Sequence, residues 1–242
     1  MFFSRKKSAS IDLSWLGADM HSHFIPGIDD GSRDMDSSLQ MIRGLADLGY
    51  KKIITTPHVL WDLYPNTPEI IGAGLENLTA AVQQAGIGVS VEAAAEYFID
   101  DHFSRELRAK APLLPISANM VLVEFSMITA SLEVQEVIFD LQMQNYQPVI
   151  AHPERYAYLT RKRDYFDDLK FSGCYFQLNL LSLAGHYGTA VQELAEYLMK
   201  KNYYDLAGTD MHNTKHLEAL RKLSPSLVKK LQDSGSFKNH LL

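Results

Sequence analysis

What most limits the folds open to this chain is a recurrence of short apolar runs, nearly all of which stop on, or just before, an acid or an imidazole. The runs end near residues 23, 56, 95, 124, 151, 179 and 208. Each has the length of a β-strand, and the stretches between them carry apolar residues at helical spacing. Residues 18–23, 52–56, 88–95, 120–123, 148–151, 174–179 and 203–208 read as seven strands. Strands alternating with helices give a parallel sheet with its crossover helices outside. Polar residues follow nearly every strand rather than clustering at one switch point. Closure into a barrel is therefore expected, not an open doubly wound sheet.

The intervening helices carry their own start and stop signals. Leu39, Ile42, Leu45 and Ala46 form the stripe of the first, with Asp34 or Asp36 as its cap and Gly49 as its stop. Thr67-Pro68-Glu69 opens the second with proline at its first position, and Ile71, Leu75, Leu78, Val82 and Ala85 continue one face. A short helix or loop spans about 100–110. Ser131 is the expected cap of a helix that buries Val134, Val137, Ile138 and Leu141. A helix near 162–171, another through Val191, Leu194, Ala195 and Leu198, and two terminal helices complete the pattern, the last opened by Ser224-Pro225.

At 242 residues and 46% hydrophobic, the chain reads as one domain over 1–242, with 1–16 as an N-terminal extension. No apolar run approaches the roughly 18 residues of a membrane helix. The first residues, Met1 to Lys7, are basic but lack the apolar segment of a secretory signal, and read as a frayed tail or an extra turn. The lone Cys174 excludes an intramolecular disulfide and suits a reducing cytoplasm. A net charge of −6 argues against a nucleic-acid-binding surface.

The residues at the strand ends are the informative ones: His21, His23, Asp30, His58, Glu96, Glu124, His152, Asp210 and His212. They include five of the nine histidines. Singly, each has a plain structural explanation as a cap, a turn residue or a surface charge. Gathered at one rim without cations, four acids and five imidazoles would be costly to desolvate. Divalent ions remove that cost. His21 and His23, two apart on a strand, project to one side and can share an ion. Nitrogen and oxygen donors without a thiolate select Mn, Fe, Zn or Mg over a closed structural zinc site. Arg155, three residues after His152, offers a planar fork suited to phosphate.

With these pieces in hand, the chain resembles the polymerase and histidinol phosphatase (PHP) superfamily, and within it the bacterial capsular-polysaccharide tyrosine phosphatases. The resemblance is carried by His21-Ser22-His23, Pro26-Gly27-Ile28-Asp29-Asp30-Gly31, Thr55-Thr56-Pro57-His58 and Ala95-Glu96. It continues through Val123-Glu124-Phe125, Ala151-His152-Pro153-Glu154-Arg155-Tyr156 and Thr209-Asp210-Met211-His212-Asn213. It implies a distorted, TIM-like (β/α)7 PHP barrel of the α/β class holding three divalent ions, usually Mn2+, with Fe or Zn as alternatives. The implied ligands are His21, His23, Glu96 and Asp210 for the first ion. Glu96, Glu124 and His152 would hold the second, with Glu96 bridging, and Asp30, His58 and His212 the third. Arg155 would grip the phosphoryl group. Some members carry an arginine just beyond the Asp-x-His-Asn motif, where this chain has Lys215-His216-Leu217, and Lys215 can substitute there as a point charge.

The implied activity is hydrolysis of protein phosphotyrosine. The substrate would be the tail of a membrane-bound tyrosine autokinase that controls capsular or exopolysaccharide synthesis, met by a cytoplasmic protein at the inner face of the membrane. A histidinol-phosphate or other small-molecule phosphatase on the same scaffold is the first alternative. An amidohydrolase-like metal hydrolase or a nuclease is the second, though it leaves Asp30, Glu124 and His212 without a task. Asp29 or a metal-bound water is the candidate general acid. Cys174 is not a nucleophile on this reading, because Leu180 stands where a cysteine phosphatase needs its arginine.

Overall fold

The computed structural model describes residues 11–129 and 133–242. Among these, nine short strands carry the architecture: β1 (Ala18–Asp19), β2 (Lys52–Thr55), β3 (His58–Val59), β4 (Ser90–Ala93), β5 (Glu96–Phe98), β6 (Met120–Glu124), β7 (Gln147–Ile150), β8 (Tyr175–Asn179) and β9 (Leu206–Gly208). They form two parallel sheets, ordered β1-β2-β4 and β3-β5-β6-β7-β8-β9.

The second and third of the seven expected strands end at a bend, and beyond each the chain resumes as a further short strand in the other sheet. The second bends at Thr56-Pro57, where proline offers no backbone donor, and resumes as β3. The third breaks at Ala94-Ala95, between β4 and β5. New backbone bonds form at the bends: Thr56 N donates to Ser22 O at 2.6 Å, and Glu96 N to Pro57 O at 3.1 Å. The first strand is regular only over Ala18–Asp19, because residues 21–23 turn toward the segment after β9. There Asp210 N donates to His21 O at 2.7 Å, His23 N donates to Met211 O at 3.0 Å, and Ser22 bridges Met211. Seven strand positions thus curl into a distorted TIM-like barrel, closed between its first and last runs by single contacts.

Alternation along the strands sorts the apolar side chains into two layers. Met20, Ile54, Leu122, Val149, Ala151 and Leu206 fill the interior beneath the strand ends. Ile53, Val121, Val123, Ile150 and Phe176 face outward to the helices. Each such buried side chain contributes about 1.5–3 kcal/mol, so the floor of the barrel is a rigid support for whatever stands on it.

The outer layer comprises α1 (Met35–Asp47), α2 (Pro68–Gln84), α3 (Asp101–Arg108), α4 (Val134–Met143), α5 (Asp164–Phe171), α6 (Thr189–Lys200), α7 (Thr214–Leu220) and α8 (Pro225–Ser234). Asp34, not Asp36, caps α1 by accepting from Ser37 N at 2.8 Å. Thr67 and Ser224 cap α2 and α8 as their sequences indicate. The expected cap Ser131 lies outside the described residues, as do residues 1–10. From Ile11 onward the N-terminal extension packs on the core: Ile11, Leu13 and Leu16 are buried, and Ser14–Leu16 is a 3-10 turn.

Candidate metal centre

All nine residues singled out at the strand ends meet in one cluster. Glu96, the first residue of β5, is its hub. Its Oε2 lies 3.1 Å from His21 Nε2 and 3.1 Å from His58 Nδ1, and its Oε1 lies 3.1 Å from His152 Nε2. Glu124, at the end of β6, approaches His58 Nδ1 at 3.0 Å. Asp210 Oδ1 stands 3.5 Å from both His21 Nε2 and His23 Nε2. Asp30 Oδ1 lies between His58 Nε2, at 3.4 Å, and His212 Nε2, at 3.3 Å. The cluster runs from a closed floor to an open mouth: the His21, His23 and Glu96 side chains are fully buried, whereas that of Asp30 is 54% exposed.

Donor atoms converge in four overlapping groups: His23, Asp30, His58 and His212; His21, His23 and Glu96; His21, His152 and Asp210; and His58, Glu96 and Glu124. These keep the trio Asp30, His58 and His212 of the resemblance together but add His23 to it. They also bring His58, beyond its expected set, to Glu96 and Glu124, and His152 to His21 and Asp210.

The donor set fits divalent cations on two grounds. Buried and without a hydrogen-bond partner are His58 Nδ1, Glu96 Oε2 and His152 Nδ1, and two of these three face the cluster. Such orphans are costly unless something coordinates them. The second ground is charge. Burial works against an imidazolium at His21, yet the carboxylates of Glu96 and Asp210 outweigh it and lift its pKa to about 9. Glu96 and Asp210 are themselves held well below the usual carboxylate range by the histidines, against the opposing effect of burial. Protons on imidazoles here do the charge balancing that cations would do.

Anchors behind the cluster fix which ring nitrogen is free. Gln177 Oε1 accepts from His152 N at 3.1 Å and lies 2.9 Å from His21 Nδ1. An amide oxygen can only accept, so Nδ1 of His21 carries a proton, and in the neutral ring Nε2 is the nitrogen left with its lone pair. Asp29 Oδ2 does the same for His23 Nδ1 at 2.8 Å, and also accepts from His58 N at 3.1 Å. The Asp210 carbonyl orients His212 through Nδ1 at 2.9 Å. Asp29 is thereby an anchor. Its pKa is lowered, since His23 outweighs the effect of burial, and a carboxylate so held is a poor proton donor.

Backbone geometry serves the same end. His152 (φ 31°) and Asp210 (φ 49°) both occupy the left-handed region, which costs non-glycine residues energy and is tolerated where a site over-determines the chain. Gly31 must be a glycine, because a Cβ there would stand 2.3 Å from the Cβ of His23.

Arg155 sits at the rim with its side chain 27% exposed. Its Nη1 donates to Asp210 Oδ2 at 2.6 Å, and its guanidinium lies 4.6 Å over the Tyr187 ring. Asn179 Nδ2 reaches the same Asp210 oxygen at 2.9 Å and the Tyr187 hydroxyl at 3.0 Å. Lys215 lines the cleft that also holds Asp30, Arg33 and His212, so a cation does stand beyond the last motif. A fork beside a cluster of hard donors is an arrangement for an oxyanion.

This chain is matched over residues 17–237 by the family model described as capsular polysaccharide synthesis, CpsB/CapC. The chain belongs to that family. Among curated members of the CpsB/CapC group, the tyrosine-protein phosphatase YwqE of Bacillus subtilis (strain 168) is 30% identical over 198 residues, covering 81% of this chain and 78% of that protein. The tyrosine-protein phosphatase CpsB of Streptococcus pneumoniae is 25% identical over 201 residues, covering 81% and 82%. A solved structure from work on YwqE of B. subtilis and CpsB of S. pneumoniae, described as metal-dependent tyrosine phosphatases, superposes with a TM-score of 0.79 at 27% identity, covering 93% of each chain. The lactonase Lmo2620 of Listeria monocytogenes shares the fold, with a TM-score of 0.57 at 15% identity, covering 96% of this chain and 92% of that one.

Several residues of the CpsB/CapC site are silent in the sequence. Gln177 and Asn179 look like ordinary polar positions of a strand. Buried Glu154 accepts from Asn179 N at 2.9 Å and from the Tyr204 hydroxyl at 3.0 Å. Asp19 receives Thr209 N at 2.9 Å and so holds the loop that carries Asp210. For Gln177 and Asn179 the signal available was a polar side chain at an inward-facing strand position.

Proposed function

We propose that this CpsB/CapC-family protein is a manganese-dependent phosphomonoesterase that hydrolyses protein phosphotyrosine. The observation that carries the reading is Arg155 held at the lip of a nitrogen- and oxygen-lined cluster, on the carboxylate that also faces His21 and His23. A phosphoryl group entering the mouth meets a positive fork on one side and the donor cluster on the other.

His21, His23, Glu96 and Asp210 would hold one ion, Glu96, Glu124 and His152 a second, and Asp30, His58 and His212 a third. Bound there, divalent ions would supply an acidified water as nucleophile and neutralise phosphoryl oxygens. The chain does the rest. Arg155 orients the phosphoryl group and takes up charge that spreads over its equatorial oxygens. Gln177 and Asp29 keep His21 and His23 in the ligating tautomer, and Asp210 ties the arginine to the cluster. A tyrosinate leaving group, with a pKa of about 10, needs little protonation at departure. This agrees with a site in which Asp29 is committed as an anchor.

The substrate on this reading is the phosphotyrosine-bearing tail of a membrane-bound tyrosine autokinase of capsule or exopolysaccharide synthesis. The protein would act from the cytoplasm. No helix among the described residues is long and apolar enough to cross a membrane. The deciding experiment compares turnover of a phosphotyrosine peptide, a phosphoserine peptide and histidinol phosphate by manganese-loaded protein. Preference for the first is expected; preference for histidinol phosphate overturns the assignment in favour of a small-molecule phosphatase.

A further inference from the structure

A second cavity, of about 350 Å³, lies on the outer face of the strands that carry His58 and Glu96. Side chains alternate along a strand. On the paired strands β3 and β5, His58 and Glu96 turn inward to the metal cluster, while the paired neighbours Val59 and Tyr97 line this cavity. Trp61 and Phe103 add aromatic wall, and Tyr97 stacks on Phe103 at 4.8 Å. The lining carries three carboxylates, Glu69, Asp100 and Glu106, and no lysine or arginine among the described residues. His102 lines it too, stacked on Trp61 with ring centroids 3.9 Å apart. An apolar, aromatic hollow edged by three carboxylates suits an apolar group accompanied by a cation.

The hollow adjoins the metal cluster, since Val59 in its wall follows His58 directly in the chain. Leu60 and Tyr64 close a tight turn by exchanging backbone hydrogen bonds, and this turn stands between the two sites. On one side Tyr64 stacks on His58, with ring centroids 5.7 Å apart. On the other, Trp61 lines the cavity, 44% exposed, and the turn tip presents Leu63, 68% exposed. Asn66, in the cavity wall, donates from Nδ2 to the carbonyls of His58 at 2.8 Å and Ile28 at 2.9 Å. β3 is the edge strand of the six-stranded sheet, so an extended chain can pass over it without breaking a ladder. At about 3.3–3.6 Å per residue, two to four residues of such a chain reach roughly 7–14 Å.

We propose that this cavity is an accessory substrate site that takes an apolar residue next to a basic one, in the polypeptide segment flanking the phosphotyrosine. The proposal rests on the phosphatase reading and adds to it a sequence preference.

The test uses phosphotyrosine peptides with a Leu-Arg pair placed two, three or four residues away on either side, against the same peptides with Gly-Glu. Phenyl phosphate, too small to reach the cavity, serves as the internal reference. At least one placement is expected to lower KM by fivefold or more, and Glu69→Lys with Glu106→Lys to abolish that preference. Equal KM values at every placement, or a preference that survives the double charge reversal, overturn the proposal. Binding of the unphosphorylated peptides is followed in parallel by fluorescence, taking the signal lost in Trp61→Phe as that of Trp61. If no phosphate ester is turned over, the phosphatase reading fails. The cavity is then decided by whether the Leu-Arg peptides change the Trp61 signal and the Gly-Glu peptides do not; no change in either case overturns it.

Discussion

Arg155 Nη1 donates to Asp210 Oδ2 at 2.6 Å, while the other oxygen of that carboxylate faces His21 and His23. One carboxylate therefore couples the guanidinium to the histidine cluster. Removing the arginine leaves Oδ1 of Asp210 in place, and Asn179 still holds Oδ2. Arg155→Ala is expected to lower kcat/KM for aryl phosphates by about 10²–10³-fold, the usual cost of one donor to developing charge, with bound manganese unchanged by elemental analysis. Loss of the metal along with the activity would make Arg155 a support of the ligands instead.

Cys174 supplies a second test, because a tyrosine phosphatase can also be built on a thiolate. Here the thiol is buried in the wall of the barrel, and burial pushes its pKa up to about 12. At neutral pH almost none of it is ionised. Cys174→Ser is expected to keep turnover within about twofold of the parent, whereas dialysis against a chelator should abolish it and added manganese restore it. The opposite pattern in a hydrolysis assay would end the metal mechanism.

The metal-free protein should also respond to pH in a direction opposite to that of the loaded one. Burial opposes a charge on His21, but Glu96 and Asp210 prevail and raise its pKa from 6.5 to about 9. A raised imidazole contributes stability that is fully present below its unfolded pKa, about 6.5, and lost as pH climbs through its folded value. Thermal midpoints of stripped protein are expected to fall across that window. Ligation needs neutral imidazoles and expels their protons, so saturation with manganese should stabilise the protein more as pH rises. Melting curves in both states check this; a flat or rising midpoint in stripped protein contradicts it.

How far the sequence could be read follows from where each residue stands. Cluster residues such as His21, His58 and Glu124 fall where an apolar run stops, so the recurrence exposed them, and the same recurrence carried the strand positions of the barrel. The breaks at Thr56-Pro57 and Ala94-Ala95 depend on which neighbouring strand offers a partner, which local pattern does not encode. Asp29 was visible but read as a candidate general acid, since its burial against His23 and His58 N arises only when the loop folds over the strand ends. Gln177 and Asn179 were hidden for a related reason. In a closed barrel, inward polar residues near the rim face the site rather than water, and alternation looks the same either way.

Gln177 offers the sharpest test of that hidden layer. Its Nε2 is engaged by the Leu178 carbonyl at 2.7 Å, which turns Oε1 toward His21 Nδ1 and His152 N. The oxygen thus serves two ligating segments from opposite sides of the barrel. Gln177→Leu keeps the volume but removes the acceptor, freeing His21 to place its proton on the ligating nitrogen and leaving His152 N without its bond. A 10- to 100-fold loss of manganese affinity is the expected consequence for a partner of this kind. Gln177→Glu retains the acceptor and should hold metal far better than the leucine variant. Manganese titrations of the three proteins decide the matter: equal affinities would mean that the imidazole is oriented by packing alone, and that Oε1 plays no part in choosing its tautomer.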